Sequence, residues 1–180
     1  MGDDLFARIV SQRGSWDDLL TRIPLLGDEM EDYLNMSARR DADRIIRDHI
    51  AGLLKEQIAR LAQIENTILD KGGLSYMSKT RSAKTKLQTL TDRIGTAAPG
   101  YAISGALRVG QEELAEVFAF DHAMLRYVDQ IQATVDSLQS AAEASEGIDE
   151  AIDALEAVVQ EADQAFSLRR ELLSGLAKSD

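Results

Sequence analysis

From residue 111 onward the apolar positions fall into one stripe, Leu114, Val117, Met124, Val128, Ile131, Val135, Leu138 and Ala142, spaced three and four residues apart with Asp121 as its charged member. After Gly147 a second stripe follows: Ile148, Ile152, Leu155, Val159, Ala162, Phe166, Leu173 and Leu176, interrupted by Arg169. Such heptad spacing predicts helices that pack as antiparallel partners when the joining turn is short. A turn centred near residue 145 makes opposing residue numbers sum to about 290. Leu138 then faces Ile152, Ile131 faces Val159 and Met124 faces Phe166. The two charged members, Asp121 and Arg169, also fall opposite each other, which predicts a structural ion pair in the seam.

The first half repeats the pattern more loosely. Ile46, Ile50, Leu53, Leu61, Ile64 and Ile68 form a stripe interrupted by Gln57, and Leu74, Met77, Ala83, Leu87, Leu90 and Ile94 form its partner. Lys71-Gly72-Gly73 between them is a helix stop, with a basic last turn and glycine to follow. Helices are expected at about 3–12, 15–23, 28–70 (with a break near 35–40), 74–94, 111–143 and 148–174. Pro24 should kink the chain or start a new turn. The fold class is all-α: an elongated antiparallel helical bundle built from two long coiled-coil-like hairpins plus short N-terminal helices. One domain contains short amphipathic helices packed on the bundle (1–27), a first hairpin (28–94), a crossover segment (95–110) and an acidic C-terminal hairpin (111–180). The N-terminal apolar faces, Leu5, Phe6, Ile9 and Val10, then Trp16, Leu19, Leu20, Ile23, Leu25 and Leu26, are expected to cover one end of the bundle.

Composition supports this reading. Apolar residues make up 44% of the 180, enough for a core, and proline occurs only at Pro24 and Pro99. Cysteine is absent, which excludes disulfides, thiolate catalysis and cysteine-ligated metal. No apolar run approaches the roughly 20 residues that cross a bilayer, and the acidic start MGDDLFARIV has no signal-peptide pattern. A cytoplasmic location is the expectation.

Charge changes the picture further. The net charge is -11, but residues 1–110 carry 16 basic and 15 acidic side chains, whereas residues 111–180 carry 4 and 16. Lys79, Lys86 and Arg93 recur every seventh residue, with Arg81 and Lys84 nearby, so the helix after Gly73 has a basic stripe. The chain's own acidic hairpin is the closest polyanion for it; an anionic membrane is the alternative. Nucleic acid is disfavoured, since the stripe lacks interleaved aromatics and the net charge opposes approach. Trp16, Lys79, Lys84, Lys86, Arg93 and Tyr101 are the candidate interaction residues, Tyr101 because the crossover could present it to a partner.

No catalytic, metal-binding or cofactor-binding residue is expected. His49 and His122 are the only histidines, and both read as hydrogen-bonded packing residues. The Glu-x-x-His pairs of helical di-iron sites, phosphate loops, dinucleotide fingerprints and calcium loops do not occur. In architecture only, the long charged hairpins and amphipathic N-terminus resemble membrane-remodelling helical scaffolds of the phage-shock and ESCRT-III type. The resemblance rests on no matched motif and carries over no residue. The expected function is a noncatalytic interaction or scaffold protein whose partner is another protein or a second copy of itself. A peripheral membrane-binding assembly protein and a small all-α enzyme are the competing classes.

Overall fold

A computed structural model describes residues 2–12, 16–27, 36–97 and 111–175. Among them there are six α-helices and no strand: α1 (Gly2–Ser11), α2 (Trp16–Arg22), α3 (Met36–Asp70), α4 (Met77–Thr96), α5 (Gln111–Ala144) and α6 (Ile148–Gly175). Short 3-10 turns occupy Pro24–Leu26 and Leu74–Tyr76. The first begins at Pro24, whose fixed φ and missing N–H suit a helical first position. The second delays the start of α4 to Met77, and that helix runs on to Thr96. The expected helix stretch 28–35, the crossover residues 98–110 and Tyr101 lie outside the described residues.

The four long helices form two antiparallel pairs. Arg47 of α3 donates to the Ile94 carbonyl near the end of α4, while Lys84 near the middle of α4 reaches Glu65 further along α3. In the same way Arg169 of α6 meets Asp121 of α5, and Glu161 accepts from Tyr127. The pairs lie side by side with α3 parallel to α5 and α4 parallel to α6: Arg60 binds Asp136 at 2.6 Å and Lys71 the Glu143 carbonyl, while Lys86 binds Glu156. The apolar stripes close the space between. Ile46, Ile50, Leu54, Leu61, Leu87, Leu90, Ile131, Val135, Leu138, Ile152 and Leu155 are all buried, each large side chain stabilising the fold by about 1.5–3 kcal/mol relative to exposure.

The N-terminal helices pack against the long helices, α1 against α5 and α6. Phe6 of α1 packs on Phe120 with ring centroids 5.5 Å apart, Arg8 binds Glu161, and Arg22 of α2 makes a two-bond contact to Asp129 at 2.7 and 2.8 Å. The reason is in α5 itself. Every residue from Val117 to Val128 is buried except the half-buried Arg126. Phe118, Phe120, Ala123 and Tyr127 give this stretch apolar surface beyond its single seam, and α1 covers it with Leu5 and Ile9 buried; Leu19 and Ile23 of the next segment are buried as well.

Both tight turns use a left-handed residue. At the end of α3, Gly72 has φ 81°, the Gly73 N–H bonds the Ile68 carbonyl at 2.8 Å and the Gly72 N–H bonds Leu69 at 2.9 Å. This satisfies carbonyls that the helix end leaves open. After α5 the corresponding residue is Ser145 at φ 59°, with the Glu146 N–H on the Ala141 carbonyl. A side chain in this region is strained relative to glycine. Replacing Ser145 by Gly should therefore raise stability by about 0.5–1 kcal/mol. Gly73→Ala should lower it, because a Cβ there would stand 2.5 Å from Ile68 Cγ2 and 2.9 Å from its carbonyl oxygen. Urea unfolding followed by circular dichroism measures both; midpoints that move in the opposite senses would contradict this account of the turns.

Candidate functional site

The most concentrated chemistry is a charged network inside the bundle, built by one or two residues from each long helix. Arg169 of α6 donates through Nε to Asp121 Oδ1 of α5 at 2.8 Å and through Nη2 to Asp43 Oδ1 of α3 at 2.6 Å. Asp43 uses its other oxygen to accept from Arg47 Nε at 2.8 Å, and Arg47 Nη1 reaches the Ile94 carbonyl of α4 at 3.2 Å. Asp43, Arg47, Asp121 and Arg169 are 1%, 6%, 1% and 3% exposed. Two carboxylates and two guanidinium groups leave no formal charge in excess, which makes such burial tolerable.

The satisfaction is uneven. Asp121 Oδ2 is buried without a hydrogen-bond partner. Burial raises the Asp121 pKa; Arg169 opposes that shift and the neighbouring Asp43 charge adds to it. Burial works against the Arg169 charge too, but Asp121 and Asp43 together overcome it and hold that guanidinium more firmly protonated than usual. The two ends differ because Arg169 has two carboxylates, whereas Asp121 has one guanidinium, a second carboxylate close by and an oxygen left over.

Asp121 and Arg169 therefore occupy one contact, as their spacing suggests, while Asp43 and Arg47 went unnoticed in the sequence. A signal for them exists: Asp43 precedes Ile46 and Ile50 at spacings of three and four, which places it on the apolar stripe, and Arg47 lies four residues after it. His122 is also buried. His49 is half-buried, with a pKa lowered by burial and by Arg22.

The basic stripe of α4 lies against α6. Lys79 binds Asp149 at 3.0 Å and Asp153 at 3.3 Å, Lys86 binds Glu156 at 2.8 Å, and Arg93 binds Asp163, with Ser167 at 3.0 Å. Lys86 and Arg93 each pair with an acid seventy positions later, so two parallel helices with a common seven-residue repeat generate a ladder. Hydrogen bonds to Asp149 and Asp153 raise the Lys79 pKa, and the bond from Lys86 lowers that of Glu156. Arg93 also stands 5.8 Å from the centre of the Phe166 ring. Lys84 turns the other way, to Glu65 of α3. Of the remaining candidates, Trp16 begins α2 through its backbone and its side chain lies outside the described residues, as does Tyr101 entirely.

Among the described residues no group of three or more His, Cys, Asp or Glu side chains is placed to hold a metal ion. No described helix is long and apolar enough to cross a membrane.

Two predictions follow from the network. Arg169→Met leaves Asp121 unpaired and should destabilise the fold by about 3–5 kcal/mol, whereas adding Asp121→Leu should restore much of the loss because Asp43 keeps Arg47. A double-mutant cycle in urea checks this; zero coupling would show that the pair contributes nothing jointly. The second prediction concerns pH. The raised Asp121 pKa means that the folded chain holds this proton where the unfolded chain has lost it. Its contribution to stability therefore falls as pH rises from about 4 through the raised value. Asp121→Asn should flatten that part of the unfolding free-energy profile, and an unchanged slope would assign it to other groups.

Compared with known proteins the chain gives no match: no family model, no curated protein and no solved structure aligns with it significantly.

Proposed function

We propose that the chain is a noncatalytic helical interaction protein, an elongated scaffold whose long helices act as two coiled-coil-like hairpins and whose partner is another protein or a second copy of itself. The observation that carries this reading is where the ionisable clusters are used. Asp43 and Asp121 are engaged by arginines away from solvent, and Lys79, Lys86 and Arg93 of the basic stripe are engaged by the acids of α6. Both clusters join helices to one another. The outward surface is left rich in acids, including the exposed Glu146, Glu150 and Glu171, and suits a basic protein surface.

The membrane-binding alternative needs two surfaces at once. Its cations, Lys79, Lys86 and Arg93, would have to exchange α6 for headgroups. Its apolar segment uses Leu19 and Ile23 in the core, and among its described side chains Leu25 is exposed, at 82%.

The ladder generates its own prediction. Lys86→Glu should lower the unfolding midpoint at low salt, the loss should shrink as salt is raised, and combining it with Glu156→Lys should restore the midpoint. Equal loss in the single and double variants would mean that the pair does not form. For the function, affinity capture at near-physiological salt followed by reconstitution of a purified binary complex supports the scaffold reading. Cosedimentation with anionic vesicles, lost in both Trp16→Asp and Lys79/Lys86/Arg93→Ala, would instead establish the membrane reading. Turnover of a substrate by the purified chain would overturn both.

A further inference from the structure

Arg126 is the exception in a buried stretch of α5. It stands half-buried at the wall of a cavity of about 300 Å³ between α1 and the α5–α6 pair, lined also by Arg8, Gln12, Tyr127, Gln130 and Glu161. The acids around it are already committed. Glu161 accepts from both Arg8 and the Tyr127 hydroxyl, the latter at 2.7 Å, and Asp129 on the next turn gives both its oxygens to Arg22. Among the described residues no acid or carbonyl is bonded to the Arg126 guanidinium, and none engages the side-chain amides of Gln12 and Gln130.

The lining thus holds two guanidinium groups against one carboxylate, a positive excess on a chain of net charge -11. Tyr127 adds no negative charge, since burial and its bond to Glu161 push its pKa up to about 12. Partial burial lowers the Arg126 pKa, with only Tyr127 acting in the other direction. A partly desolvated guanidinium without a counter-ion is an unfavourable arrangement that an incoming anion relieves. Its planar fork matches the spacing of two oxygens on one phosphorus, and amide N–H groups supply further donors.

We propose that this cavity binds a small phosphate-bearing ligand, with Arg126 as the anchor, Gln12 and Gln130 as additional donors, and Arg8 adding positive charge at the rim. A phosphate is preferred to a carboxylate because its three free oxygens can accept from the Arg126 fork and from the Gln12 and Gln130 amides together, whereas a carboxylate has two. The site is independent of the scaffold reading, since it uses neither the ladder nor the buried network. The phosphate can come from a free metabolite or from a lipid headgroup, and the test separates the two.

The measurement is titration of the intact chain with inorganic phosphate, by calorimetry and by amide chemical shifts, at an ionic strength held constant with chloride. A parallel arm uses vesicles containing phosphatidate. Saturable binding is expected, with shifts gathered at residues 9–12 and 123–130. Arg126→Gln should weaken it about tenfold or more, and Arg81→Gln, at an exposed arginine of α4, should leave it unchanged. Binding in solution identifies a free phosphate compound, and binding confined to vesicles identifies a headgroup. If Arg126→Gln fails to fold, Arg126→Lys, which keeps the charge without the fork, should still bind more weakly than the parent. Absence of saturable binding in both arms, undiminished binding by the Arg126 variants, shifts located elsewhere, or acetate binding as tightly as phosphate would each overturn the proposal.

Discussion

The register of the four long helices depends on one buried polar cluster. Apolar stripes with a seven-residue repeat can slide by a heptad and still bury apolar surface, so the hydrophobic effect, being non-directional, selects the bundle more strongly than its alignment. The contacts among Asp43, Arg47, Asp121 and Arg169 are directional and lie within 2.8 Å. Moving any of these helices by a heptad would leave a charge in the interior without its counter-ion, and that penalty exceeds what one pair of apolar contacts returns. The bond from Arg47 to the Ile94 carbonyl extends the constraint to α4, which contributes no charge of its own to the cluster.

The ladder between α4 and α6 follows from that alignment. Arg93 is the neighbour of Ile94, so fixing the end of α4 also places Arg93 beside Asp163, and the common repeat then sets Lys86 at Glu156 and Lys79 at Asp149. These pairs are partly or fully solvated, and screening limits each of them. Their shared effect is on orientation: a basic face and an acidic face prefer to meet, which favours α6 over α5 as the neighbour of α4.

A different constraint organises the N-terminal helices. From Val117 to Val128 α5 is buried on nearly its whole circumference, more than α3 and α6 alone would cover. Helix α1 supplies cover, and the N-terminal segment is anchored at its polar edges by Arg8 on Glu161 and Arg22 on Asp129. Those two anchors take up the acids around Arg126, so covering α5 also produces the cavity in which that guanidinium stands. The burial of Leu5, Ile9, Leu19 and Ile23 likewise reduces the apolar surface that the N-terminal segment can offer to a bilayer or a partner.

Much of this organisation is legible in the residues alone. Helix type and extent follow from the three-and-four spacing, because side-chain direction in a helix is fixed by its 3.6-residue period. The approach of Asp121 to Arg169 follows from the same geometry, since a short turn ties residue numbers together on either side of it. The helix stop at Gly72-Gly73 is equally local. What the sequence left open depends on contacts between segments far apart in the chain. Asp43 and Arg47 belong to a stripe that reads as an imperfect apolar face until α6 is laid against it, and the basic stripe reads equally well as a ligand surface until its neighbour is known. The position of α1 against α5 and α6, and the isolation of Arg126 that results, come from matching apolar areas and committing nearby acids. Local periodicity is a property of one helix; which faces meet, and which charges remain over, is decided when the helices compete for the same neighbours.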